Sequence, residues 1–251
     1  VKLAPPLPRQ NAAQLTAFNR AFYESLWSQS KLIEPHCFNT WPLVQSLAST
    51  SGRRLEIAPG MRPRLPLCDT LFIDLSASAI AALQQRGASA ALGLVTAIPC
   101  ADAAFDFVCA FDIVEHVEDD HLALAELARV CEPNAMLLMS VPLHPEHWNA
   151  FDDFVGHRRR YVPAQLAPLL AAFGFVIERS AVYGMQPKSN WLLALGSWYL
   201  THQRERAMWW YNRVLPFSLR FQNELALKDG MIETEDVDEV LLVCRKRASL
   251  A

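Results

Sequence analysis

The chain has 251 residues, of which 52% are hydrophobic and 20% charged, enough apolar surface to exclude an intrinsically disordered chain. Lys and Arg number 23 against 26 Asp and Glu, a formal net charge of −3, so the basic surplus of a duplex-binding protein is missing and no nucleic-acid partner is expected.

Residues 11–49 read as helices rich in aromatics, with Phe18, Phe22, Trp27, Phe38 and Trp41. The character changes at Arg53. Residues 54–58 form a short strand-like run ending in Pro59-Gly60, and residues 71–73 form a second ending at Asp74. Ser76 then suits an N-cap, Ile80 and Leu83 have helical spacing, and Gly87 closes the helix. Residues 91–95 and 105–111 are the third and fourth strand candidates. The acids Glu118, Asp119 and Asp120 suit the start of the next helix, where exposed N–H groups favour negative charge. Pro133-Asn134 stops that helix ahead of a fifth strand at 135–141. Pro163 opens a helix carrying Leu166, Leu169, Leu170 and Phe173, closed by Gly174. Residues 175–177 and 240–244 complete seven strands.

The six cysteines form no C-x-x-C pair and read as free thiols of a reducing, cytoplasmic protein. No run of about 18 apolar residues exists; the nearest, Trp191 to Leu200, is short and broken by Gly196 and Ser197. A signal peptide's basic-then-apolar pattern is not seen at the start.

Strands alternating with helices predict an α/β fold, a doubly wound and mostly parallel sheet covered on both faces. Ligands of such sheets sit at the C-terminal strand ends, near the point where strand order reverses. That places a site near Pro59-Gly60, Asp74, Ile98, Phe111-Asp112 and Val141-Pro142. Asp74 is positioned to accept hydrogen bonds from two ribose hydroxyls; the plainer reading is an ordinary acid at a helix entry.

Several short motifs follow in order: Ala97-Ile98-Pro99, Phe105-Asp106-Phe107-Val108, Asp112-Ile113-Val114-Glu115-His116, Arg129-Val130-Cys131-Glu132-Pro133-Asn134 and Ser140-Val141-Pro142. Gly156-His157-Arg158-Arg159-Arg160-Tyr161 leads into Leu166 and Phe173-Gly174-Phe175. Together they resemble the small-molecule, type 11-like branch of class I S-adenosylmethionine-dependent methyltransferases, over roughly residues 53–182 and the last strand. The resemblance implies a seven-stranded Rossmann-like sheet with an antiparallel last strand. An N-terminal helical cap (1–50) precedes the methyltransferase-like domain (51–251), and a helical insertion (186–238) precedes the last strand.

The resemblance also implies roles. S-adenosylmethionine is the expected cofactor. Glu56 would orient the turn near its amino-acid end, with Ala58, Pro59 and Gly60 as a floor under the methionine portion. Asp74 would hold the ribose, Leu75 and Ile98 would flank the adenine, and Phe111 and Asp112 would lie beside the sulfonium. Three departures stand out. The family's first and third turn glycines are Ala58 and Arg62, so the glycine-rich motif is degenerate. Pro63 and Pro66 fall where the first crossover helix belongs, which predicts a stunted helix or a turn. No acid stands at Leu94 or Val95 to meet the adenine amino group.

A base is needed only for an acceptor protonated at neutral pH. His157, His116 and Tyr161 are the candidates, each also readable as a packing residue. Arg158, Arg159 and Arg160 suit an anionic acceptor group or a loop paired locally with Asp152 and Asp153. His144-Pro145-Glu146-His147 lacks helical two-histidine spacing and a third ligand, so no metal is expected. The aromatics of 186–238 could wall an apolar acceptor, touch a membrane face or partner protein, or extend the core. The function expected is methyl transfer to a small-molecule or lipid- or sugar-linked acceptor. The alternative is a degenerate fold that binds a ligand or partner without turnover. A nicotinamide-dependent oxidoreductase is disfavoured because no G-x-G-x-x-G turn exists.

Overall fold

In the computed structural model, which describes residues 12–184, 196, 198–199 and 202–248, the apolar runs assemble into one eight-stranded sheet. The strands are β1 (Arg54–Ile57), β2 (Thr70–Asp74), β3 (Ser89–Leu92), β4 (Phe105–Phe111), β5 (Cys131–Pro142), β6 (Phe175–Tyr183), β7 (Lys228–Asp229) and β8 (Glu239–Lys246). Their order is β3-β2-β1-β4-β5-β8-β6-β7. β1 pairs in parallel with both β2 and β4, so strand order reverses between β1 and β4. β8 runs antiparallel to β5 and β6, as expected of the last strand, and the two-residue β7 adds an eighth strand.

β4 is buried along its centre because Phe107, Val108, Cys109 and Ala110 fill both faces. Its apolar set divides between the faces. Val108 and Ala110 pack with Leu124, Leu127 and Leu137, while Phe107 and Cys109 pack with Leu43, Leu65 and Leu138. Helix α3 (Ala77–Gln85) starts where Ser76 Oγ accepts the Ala79 amide at 3.2 Å. Asp119 likewise accepts the Leu122 amide at the start of α4 (Asp120–Val130). β3 begins two residues earlier than its apolar run suggested, and β5 takes in Pro133 and Asn134. All six cysteines are unpaired thiols.

The first crossover, residues 58–69, contains no helix. Buried Glu56 holds it instead: its carboxylate accepts the Arg64 amide at 2.9 Å and the Leu65 amide at 2.8 Å. The sheet face left bare is covered by α2 (Trp41–Ala48), whose Leu43 and Val44 join the cluster of Leu65. α1 (Ala12–Trp27) crosses the C-terminal strand ends and lays Trp27 against Gly60. The loop after β5 carries α5 (Ala150–Val155), and α6 (Pro163–Ala172) leads into β6.

Of the expected insertion, residues 186–195 lie outside the described residues. Its helix α7 (Arg204–Ser218) docks on the N-terminal segment. Asn212 Oδ1 accepts the Lys31 amide at 2.8 Å, and Leu215 and Leu219 pack with Ile33 and Phe38. Trp209, Trp210, Phe217 and Phe221 remain exposed. Among the described residues no helix is long and apolar enough to cross a membrane.

Candidate active site

Two adjoining cavities open at the C-terminal ends of β1, β2 and β4, beside the reversal of strand order. The larger is about 190 Å³ and the smaller about 120 Å³. Asn19, Ile57, Ala58, Asp74, Leu75, Ile113 and His116 line both, so the two form one trough with Asp74 at the junction. Asp74 is 4% exposed, and its carboxylate accepts the Gly60 amide at 2.9 Å and the Ser76 amide at 2.8 Å. Burial pushes its pKa up to about 6 despite those amides, and burial likewise pushes Glu56 up to about 7.

The turn after β1 keeps a glycine-like path without the glycine. Ala58 has φ +54°, in the left-handed region that L side chains rarely adopt. Gly60 also has positive φ, and a Cβ there would lie 2.5 Å from the Trp27 ring. Trp27 thus covers Gly60, which lines neither cavity, while Ala58 and Pro59 do line the larger one. Arg62, at the third turn position, also lines it, with its guanidinium 5.4 Å from the Trp27 ring centre.

The larger cavity is walled by Tyr23, Trp27, Phe111 and Phe151 and carries the acids Asp112, Glu115 and Glu239. Asp112, at φ +47°, accepts Ser140 Oγ at 2.6 Å. Glu115 and Glu239 are held well above the ordinary carboxylate range by burial first and the neighbouring Asp112 second. His116 and His157 line the same cavity, with ring centres 4.6 Å apart. Burial, then His157, holds the His116 pKa well below its usual value, so that imidazole is neutral.

The other expected site residues lie elsewhere. Ile98 sits in the core and lines neither cavity; Leu94, Val95 and Thr96 face the smaller one in its place. Tyr161 is buried away from the trough, its hydroxyl donating to Asp120 at 3.0 Å. The three arginines are ion-paired within the chain, which fits the local-pairing reading for Arg160 and gives Arg158 and Arg159 partners other than Asp152 and Asp153. Arg158 pairs with Glu118, Arg159 with Asp120, and Arg160 with Asp152.

Sequence reasoning missed Asn19, Tyr23 and Glu239. The first two come from a helix with no family motif to mark them. Glu239 had a usable signal: an antiparallel last strand begins at the end where parallel strands finish, and Glu239 pairs with Pro142 there.

Residues 50–139 match the family model for a methyltransferase domain. No curated protein sequence matches the chain. Among solved structures, the chain is similar to a SAM-dependent methyltransferase of Thermotoga maritima, described as a possible histamine N-methyltransferase. The two share 15% identity over 95% of each chain, at a TM-score of 0.55. The [4+2]-cyclase SpnF is similar at 18% identity over 82% of this chain and 79% of that one, also at 0.55. A phosphoethanolamine N-methyltransferase of Haemonchus contortus, solved with phosphomonomethylethanolamine and S-adenosylhomocysteine, matches at 16% identity. That match covers 82% of this chain and 52% of the other, with a TM-score of 0.50. At these identities the likeness establishes the fold.

Proposed function

From a methyltransferase domain at residues 50–139 on a class I sheet, we propose that this protein transfers a methyl group from S-adenosylmethionine to a small-molecule acceptor. The observation that carries the reading is the trough itself: two cavities joined at a buried acid that ends β2. Asp74 would hold the ribose. Leu75, Val95 and Ile113 would enclose the adenine, with Thr96 and Glu118 as polar partners in a lobe whose third strand lacks an acid. Glu56, Ala58, Pro59 and Arg62 would surround the methionine end, where the Arg62 cation suits a carboxylate.

The cofactor supplies a sulfonium methyl, and the protein's task is to align it with the acceptor, which alone can lower the barrier greatly. The acceptor would enter between Tyr23, Phe111 and Phe151, with Asp112 and Glu239 beside it. The Asp112 carboxylate opposes an anionic acceptor and favours a neutral or cationic one. Of the candidate bases, His116 and His157 border this space. The exposed aromatics of α7 are the surface on which a membrane or protein partner would be sought.

A second reading keeps the fold without the transfer. Arg62 in the cavity and Trp27 over Gly60 both narrow the trough, and the similar structure SpnF is a cyclase. Calorimetry separates the two. S-adenosylmethionine and S-adenosylhomocysteine should bind and raise the melting temperature while NAD does not. Absence of binding at millimolar ligand would favour the second reading.

A further inference from the structure

Glu115 is fully buried, yet neither of its carboxylate oxygens has a hydrogen-bond partner. Nδ1 of His116, 5% exposed, has none either. The third member of this group is His157, whose Nε2 lies 3.9 Å from Glu115 Oε1. One donor atom from each of the three lies within 4.8 Å of the other two, and all three line the larger cavity. Unpaired polar atoms are expensive to bury, so a cluster of them around one point calls for an explanation.

We propose that Glu115, His116 and His157 bind a divalent first-row transition-metal ion of the zinc type, with its open positions toward the cavity. Two imidazoles and one carboxylate are a donor set that such ions take with room left for an exchangeable ligand. The surroundings fit as well. His157 Nδ1 donates to Asp152 Oδ1 at 2.8 Å, which leaves Nε2 as the lone pair facing Glu115. Asp152 is held in turn by Arg160, at 2.9 and 3.0 Å. A carboxylate fixing the far nitrogen of a ligating histidine is a common second layer of metal sites. A dication also suits an enclosed space on which three carboxyl groups, those of Asp112, Glu115 and Glu239, converge. The donor atoms come from two places, the short helical turn after β4 (Val114–His116) and the loop after α5. No local sequence spacing announces them.

The metal site stands on its own geometry. Its use does rest on methyl transfer: an ion here would hold an acceptor oxygen and lower its pKa. His116 would then be a ligand and not a base.

The test uses the intact chain, stripped by chelator and free of cofactor, so that its failure leaves methyl transfer untouched. Zn²⁺ and, separately, Mg²⁺ are titrated, and bound metal is counted by equilibrium dialysis with mass spectrometry. About one Zn²⁺ per chain is expected, with a raised melting temperature, while Mg²⁺ binds far more weakly. Co²⁺ in the same site should give visible d–d absorption. Glu115→Gln and His157→Gln, each checked for folding by circular dichroism, should weaken Zn²⁺ by about tenfold or more, and Asp152→Asn by about tenfold. The His144→Ala/His147→Ala pair should change nothing. Folded wild-type protein that retains no Zn²⁺, or retention lost only with His144 and His147, would overturn the assignment.

Discussion

The backbone amide of Gly60 donates to Asp74 Oδ2 at 2.9 Å, tying the turn after β1 to the acid that ends β2. One carboxylate thereby fixes the floor of the trough and remains at its junction with both lobes. The turn is built around this acid, which goes beyond a helix-entry role.

Two opposite pH dependences follow from Asp74. Its folded-state pKa is raised by burial from 3.8 to about 6. Protonation therefore favours the folded state, and this group's contribution to stability rises as pH falls from about 6 toward 4. The ribose recognition proposed for it would need the ionised form, so S-adenosylhomocysteine affinity should fall below pH 6, by up to about tenfold per unit, and level off above it. Melting curves and calorimetry from pH 5 to about 8 would show both trends. Asp74→Asn should flatten both and weaken binding at about pH 7.5 by about tenfold or more. A variant that binds as wild type does would remove the ribose from this position.

Asp152 should matter for stability independently of any ligand. Burial works against its charge, but hydrogen bonds from His157 and Arg160 outweigh burial and hold its pKa low. Arg160 is 3% exposed at its side chain, so losing the partner leaves a buried cation. Asp152→Asn should cost about 3–5 kcal/mol, read by urea or thermal unfolding. A loss under about 1 kcal/mol would mean that water or Leu143 O already satisfies the guanidinium.

The sheet was legible because β4 and β5 carry apolar runs that only a strand covered on both faces needs, and because Ser76 and Asp119 are caps with a short-range signature. The strand-exit rule also brought Pro59, Asp74, Phe111, Asp112 and Pro142 to one trough. What sequence could not show depends on long-range closure. Trp27 reaches Gly60 across 33 positions, and the Asn19 side chain donates to His116 O across 97. The arginine run at 158–160 left two readings open for a related reason: Asp152, the partner of Arg160, lies nearby in sequence, but Glu118 and Asp120, the partners of Arg158 and Arg159, lie about forty residues upstream.

Tyr161 provides a check on that placement. Its hydroxyl donates to Asp120, which also pairs with Arg159, and the ring packs in the core of β4 and β5. Tyr161→Phe should lower stability by about 1 kcal/mol and leave cofactor affinity and turnover near wild type. A collapse of turnover in a stable variant would return Tyr161 to the active site.

Ala58 offers the converse test, a substitution that should help the fold. Its φ of +54° costs an alanine about 1–2 kcal/mol, and its amide is fixed by the Ile73 carbonyl at 2.7 Å, so the turn has little room to relax. Glycine removes that cost but adds about 0.5–1 kcal/mol of unfolded-chain entropy. Ala58→Gly should therefore stabilise the protein by roughly 0.5–1 kcal/mol, a shift of a few degrees or less for a chain this long. Ala58 also lines the trough, so the substitution removes a methyl group from the floor under the proposed methionine portion. If the strain helps hold the floor in its binding shape, the stabilised variant will bind S-adenosylhomocysteine more weakly, a trade seen where backbone strain is kept at functional sites. If the strain only marks a lost glycine, affinity and melting temperature will rise together. A fall in melting temperature would show that the Cβ of Ala58 packs against the core more tightly than its backbone is strained.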